Sequence, residues 1–127
     1  MGTLKANPVH WFEIPVNDIL RAKDFYEYVF ECKLELQEMK MMRMASFPMA
    51  DEAKGAGGSL VQAKGYEPHH SGTTVYFSVE DIDYVLRRVQ DKSGMVIIPK
   101  TSIGKYGFIA HFEDSEGNQI ALHSITE

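Results

Sequence analysis

The stretch Trp11-Phe12-Glu13-Ile14-Pro15-Val16-Asn17-Asp18-Ile19 decides how the chain is read. Phe12, Ile14 and Val16 alternate with Trp11, Glu13 and Pro15, so a strand with one apolar face is expected, because successive side chains on a strand take opposite faces. Asn17-Asp18 then supplies a helix start, where a side-chain oxygen can accept from an amide of the first turn. Ile19, Ala22, Phe25, Tyr26, Val29 and Phe30 recur at helical spacing and carry an amphipathic helix to about Phe30. Beyond it, Leu34 to Arg43 and Met44 to Met49 read as two strands, Asp51 to Gly58 as a loop and Ser59 to Ala63 as a fourth strand.

The same order then begins again. Val75, Phe77 and Val79 alternate against Thr74, Tyr76 and Ser78. Glu80-Asp81 opens a helix carrying Ile82, Val85, Leu86 and Val89, and Gly94 ends it. Strands follow at Val96 to Pro99, Phe108 to Phe112 and Gln119 to Ser124, the last two joined by the turn Asp114-Ser115-Glu116-Gly117-Asn118. A shift of 63 residues lays Val16-Asn17-Asp18-Ile19 over Val79-Glu80-Asp81-Ile82. A shift of 60 lays Gly57-Gly58-Ser59-Leu60-Val61 over Gly117-Asn118-Gln119-Ile120-Ala121. The chain therefore reads as one α+β domain over residues 1–127, made of two tandem βαβββ modules. Module one covers about 9–63, a linker of Gly, Pro and His69-His70 covers 64–72, and module two covers about 73–124.

Composition narrows the function classes. A chain of 127 residues with 44% hydrophobic residues suits one domain with a real core. Its longest apolar runs fall far short of the ~20 residues that cross a bilayer, and residues 1–8 lack the apolar stretch of a signal peptide. No membrane role and a cytoplasmic location are expected. A net charge of −5 without a basic stripe argues against nucleic acid as a partner. The lone Cys32 can form neither an intramolecular disulfide nor a cysteine-rich metal site. No phosphate-cradling Gly loop, nucleophile elbow or Cys/His nucleophile arrangement is present.

With its repeat in place, the segment Phe12 to Asp18 followed by Ala22 to Phe30, together with Asp114-Ser115-Glu116-Gly117-Asn118 before a final strand, resembles the vicinal-oxygen-chelate superfamily. This is the glyoxalase/bleomycin-resistance/dioxygenase superfamily, and more narrowly the chain is similar to bacterial proteins labelled as related to lactoylglutathione lyase. It runs from about Val9 to Ser124. It implies that the eight strands curl into a cup with both helices outside, and that the cup holds a small molecule. The superfamily hosts isomerases, epimerases, dioxygenases, thiol transferases and drug-sequestering proteins, so it narrows the reaction little. Paired modules in it commonly lie beside a two-fold axis, and a homodimer is expected.

The resemblance also implies four convergent ligand positions for a divalent cation, one from each first and fourth strand. His, Glu or Gln usually fill them, leaving room for substrate oxygens. Here they fall on Trp11, Thr74, Val61 and Ala121, none of which is such a ligand. A slip of one residue recruits His10 or Gln62 only by turning each strand over. The expected site therefore has no metal, and no cofactor is expected. Two residues further along each strand come Glu13, Ala63, Tyr76 and His123 on the same face. Glu13 and His123 are the acid-base candidates if the protein is an enzyme. Trp11, Val61, Ala63, Thr74, Tyr76 and Ala121 are the candidate ligand-binding walls, and Tyr106, in a Gly-flanked approach, is a candidate lid. The competing reading is a metal-dependent lyase, isomerase or dioxygenase using His10, His111 or His123. His111 has ambiguous strand parity, and His69-His70 reads as a solvated linker pair. Met39, Met41, Met42, Met44 and Met49 fall in strands that rim the cup, where packing in the core or a dimer is favoured over a ligand wall.

Overall fold

The computed structural model describes residues 2–126. Strand β1 (Trp11–Pro15) leads into helix α1 (Ile19–Phe30), followed by β2 (Glu35–Glu38), β3 (Met42–Ser46) and β4 (Gly57–Ala63). The second module repeats this with β5 (Tyr76–Ser78), α2 (Ile82–Asp91), β6 (Met95–Ser102), β7 (Phe108–Glu113) and β8 (Gln119–Ser124), with a short 3-10 turn at Gly104–Tyr106. Each module forms one four-stranded sheet, in the orders β1-β4-β3-β2 and β5-β8-β7-β6, with the first and fourth strands parallel. The two tandem βαβββ modules of an α+β fold are thus present, each with its helix against one face of its sheet.

Both helix starts follow the sequence. Asp18 and Asp81 have extended backbones, and each side chain accepts an amide three residues on, from Arg21 and Tyr84 at 3.1 Å. The buried stripe of α1 is Ile19, Ala22, Phe25, Tyr26 and Val29, and that of α2 is Ile82, Val85, Leu86 and Val89. These stripes meet Ile14, Leu60, Ala110, Phe112, Ile120 and Leu122 in one core.

The first hairpin differs from expectation. The chain turns at residues 39–41, where Met39 donates to the Met42 carbonyl at 2.8 Å, rather than between Arg43 and Met44. Glu38 and Arg43 face each other across the strands and form an ion pair at 3.0 Å. No Gly, Pro or Asn marks this turn, so composition carried no signal of it. The fourth strand of module one begins at Gly57, two residues before the expected Ser59, and β6 extends to Ser102 rather than Pro99.

The sheets meet where β1 and β5 approach, and aromatic rings join them. Phe12 and Phe77, one from each strand, are in edge contact at 5.7 Å, and Phe47 lies within 5.8 Å of both rings. Gly58 sits beneath Phe12, where any Cβ would lie 2.4 Å from the ring. A polar clasp completes the join. The turn Asp114 to Asn118 reaches back to module one. Glu116 accepts from the amides of Asn17 and Asp18 at 2.9 Å and pairs with Arg21 at 2.7 Å. Asn118 donates to the Pro15 carbonyl at 2.8 Å, and the buried Tyr26 hydroxyl donates to Asp114 at 2.5 Å.

Candidate functional site

Strand pairing fixes which side chains face away from the helices. In β1, Phe12 and Ile14 pack inward, leaving Trp11, Glu13 and Pro15 on the other face, and Glu13 lies opposite Ser59. In module two, Phe77 and Leu122 pack inward, leaving Tyr76 beside Ala121 and Ser78 beside His123. Glu13, Tyr76, Ala121 and His123 therefore share the concave face, as alternation required. Val61 and Ala63 lie on it too, opposite Met44 and Met42. His111 also faces the cup, because its neighbours Ala110 and Phe112 are buried in the core.

The pairing corrects the alignment of the fourth strands. Val16 donates to the Val61 carbonyl and Val79 to the His123 carbonyl, so β8 lies over β4 with a shift of 62 rather than 60. Ala121 therefore corresponds to Ser59, and His123 to Val61. An offset of two residues keeps every side chain on its face of the sheet. Val61 and Ala121 have no exposed surface, and with Ala63 and His123 they lie outside the lining of the cavity between the modules.

A cavity of about 890 Å³ opens between the modules, bounded by Val9, Trp11, Glu13, the linker 69–75, Tyr76 and Gln119. Thr74 lies on this linker wall. Trp11 and Tyr76 are 38% and 50% exposed, a large aromatic surface left open. Met49 and Trp11 crowd the space over Gly57, where a Cβ would lie 2.2 Å from the Met49 sulfur. Met39 and Met41 instead project from the hairpin turn into solvent. A second cleft, of about 630 Å³, reaches Phe12, Phe30, Phe47 and Phe77 beside Cys32. Burial, with Glu27 nearby, raises the Cys32 thiol and keeps it a poor nucleophile.

The polar groups of the cup are paired in a specific way. Glu13 accepts from the Tyr66 hydroxyl at 2.9 Å, which raises the Tyr66 phenol above its ordinary value. His123 Nε2 donates to the Tyr106 carbonyl at 2.7 Å, so the candidate lid is tied to the cup by its backbone while its ring stays 67% exposed. Glu13 and His123 thus each bond another residue rather than one another. Sequence reasoning did not anticipate the row beside them. Gln119 Nε2 approaches His111 Nδ1 at 2.9 Å, and His111 Nε2 approaches the Tyr76 hydroxyl at 3.3 Å. Burial lowers the His111 pKa, which favours the neutral imidazole. His70 pairs with Glu113 at 2.6 Å and the His69 amide bonds Asn118, so the histidine linker closes one side of the cavity instead of being free in solvent. The signal for His111 was the buried pair Ala110 and Phe112 around it.

The residues at the superfamily's cation positions do not compose a ligand set. Trp11, Thr74, Ser59 or Val61, and Ala121 or His123 offer one imidazole and otherwise hydroxyl or apolar groups. Among the described residues no three His, Cys, Asp or Glu converge as a metal site requires. Ser59 Oγ is buried without a hydrogen-bond partner among the described residues, and a neutral hydroxyl is a weak substitute for a carboxylate.

Together, the paired βαβββ modules and their shared cup define the glyoxalase-like class of folds. The family model described as the Glyoxalase/Bleomycin resistance protein/Dioxygenase superfamily matches residues 9–122, and the chain belongs to that superfamily. Among solved structures it is similar to the antibiotic binding protein TnmS3 from a Streptomyces species, at 26% identity and a TM-score of 0.66, covering 95% of this chain and 98% of that one. A glyoxylase/bleomycin resistance protein/dioxygenase domain from a Frankia species aligns with a TM-score of 0.73 at 16% identity, covering 94% and 98%. A glyoxalase I mutant from Zea mays aligns with a TM-score of 0.70 at 21% identity over 93% of this chain, which spans only 46% of the maize chain. No curated protein sequence matches the chain. Among the described residues no helix is long and apolar enough to cross a membrane.

Proposed function

We propose that this protein binds a small organic molecule in the cup without a metal ion. The observation that carries the reading is the cavity of about 890 Å³, whose open wall presents Trp11 and Tyr76. Apolar walls with a few directed polar groups suit a ligand of a few hundred daltons. The likeness to TnmS3, a protein described as antibiotic binding, supports sequestration over turnover. Trp11, Thr74 and Tyr76 form the ligand wall of that cavity, while Val61, Ala63, Ala121 and His123, the last bonded to the Tyr106 carbonyl, lie outside its lining. If the bound molecule is also transformed, Glu13 and His123 are the candidate groups to move a proton.

Elemental analysis and chelation test the metal-free reading together. Protein purified without chelator should carry only sub-stoichiometric divalent metal, and chelation should leave its melting temperature unchanged. One equivalent of Zn, Ni, Mn or Fe would replace this reading with the metal-dependent lyase, isomerase or dioxygenase. A cytoplasmic homodimer completes the proposal. Its support is the apolar surface left open at Met39, Met41, Met95 and Ile125. A monomer by light scattering at micromolar concentration would refute the dimer.

A further inference from the structure

We infer that Tyr76 is the cup's ligand-facing hydrogen-bond donor, oriented by His111 and Gln119, and that its ligand is a flat, uncharged aromatic molecule bearing a carbonyl oxygen. This rests on the cup being a small-molecule site and names the chemistry it selects.

The argument starts from the imidazole. A neutral histidine offers one donor and one acceptor, and the partner of one nitrogen fixes the role of the other. Gln119 brings its amide nitrogen to 2.9 Å from His111 Nδ1, and an amide nitrogen can only donate. Nδ1 is therefore the acceptor, and the ring proton sits on Nε2. That proton points at the Tyr76 hydroxyl oxygen, 3.3 Å away, with the two rings edge to face at 5.6 Å between centroids. The phenol oxygen accepts, and its own hydrogen is left over. Among the described residues the Tyr76 hydroxyl has no second partner, and its half-exposed ring lines the cavity. A ligand oxygen is the natural recipient.

The rest of the wall sets the remaining chemistry. Trp11 and Tyr76 offer two aromatic surfaces beside Val9 and Pro15, which favours a flat aromatic body. Among the described residues no Lys or Arg lines the cavity and its basic side chains are His69 and His70, while Glu13 lines it too, so a carboxylate or phosphate would enter without a permanent counter-charge. Glu113, the acid nearest His111 along β7, is held by His70 at 2.6 Å. A neutral carbonyl meets the phenol donor at no such cost.

Trp11 is the only tryptophan in the chain, so its fluorescence reports the cup directly. The probes are 9-fluorenone and fluorene, which differ by a carbonyl in place of a methylene. Inner-filter-corrected titrations should show 9-fluorenone binding about tenfold tighter, the effect of one hydrogen bond. Tyr76→Phe should abolish that preference, bringing the two affinities within about twofold of each other. His111→Phe should reduce the preference, and 15N chemical shifts of the native protein should show His111 protonated at Nε2. Equal binding of both probes, or a preference that survives Tyr76→Phe, overturns the inference while leaving the cup a binding site. Protonation at Nδ1 overturns the orientation argument, and binding of neither probe overturns the aromatic carbonyl class. Failure of the metal-free reading shows separately, as bound metal.

Discussion

Replacing Glu116 by Ala should loosen the join between the modules and lower stability by ~3–5 kcal/mol. The side chain is fully buried and accepts two backbone amides, from Asn17 and Asp18, at 2.9 Å each. A hydrogen bond to a charged acceptor contributes ~1.5–3 kcal/mol, and both donors lose their partner in the variant. Arg21 adds a two-pronged contact at 2.7 and 2.9 Å, but its side chain is 54% exposed, so water screens it and its share is ~0–1 kcal/mol. At ~3 °C per kcal/mol for a domain of this size, the melting temperature should drop ~10–15 °C. Urea unfolding at constant m-value and thermal melting both read it, with Arg21→Ala as the control expected to lose only ~1 kcal/mol. The carboxylate also carries a pH signature. Burial raises its pKa, but hydrogen bonds from Arg21, the Asp18 amide, Ser115 and the Asn17 amide outweigh that and hold it below the ordinary 4.5. A depressed carboxylate stabilises the fold above its unfolded pKa, and the contribution is lost as pH falls through the folded value. Glu116→Ala should flatten that part of the acid unfolding profile. A loss under ~1 kcal/mol, or an Arg21→Ala loss equal to that of Glu116→Ala, would refute the view that the amide anchor dominates.

Further outcomes follow from single contacts. Gly58→Ala places a methyl 2.4 Å from the Phe12 ring and should cost ~1–3 kcal/mol by urea titration, since the ring must leave its contact with Phe77. His111 is held below the ordinary 6.5 by burial, so protonating it opposes folding. Its contribution is complete above the unfolded pKa and declines as pH falls below about 6.5, and His111→Gln should reduce this decline in urea midpoints between pH 7 and 5. Tyr26→Phe removes the buried donor to Asp114 and should lose ~1–3 kcal/mol, leaving the circular dichroism spectrum unchanged.

The concave face was legible because strand alternation is strict: Phe12, Ile14, Phe77 and Leu122 all pack inward, and Trp11, Glu13, Tyr76 and His123 follow on the opposite side. Parity tolerated the misplaced overlay of β8 because the error was two residues, an even number. The hairpin at 39–41 was not legible, since five methionines between 39 and 49 fit strand and turn equally and register is fixed by pairing with β4. The turn Asp114 to Asn118 could be read as a turn, but not as the clasp of the two modules. Its partners lie up to 103 residues away, where no local pattern reaches. The Gln119–His111–Tyr76 row escaped for a similar reason, as it draws on three strands whose relative register only the folded sheet fixes.

Native mass spectrometry of protein isolated without chelator measures ligand and metal in one spectrum. The account predicts the chain's mass with no stoichiometric divalent ion and with an organic adduct of a few hundred daltons, released on denaturation and absent from Trp11→Ala. One divalent ion per chain, or an adduct that Trp11→Ala retains unchanged, would contradict it.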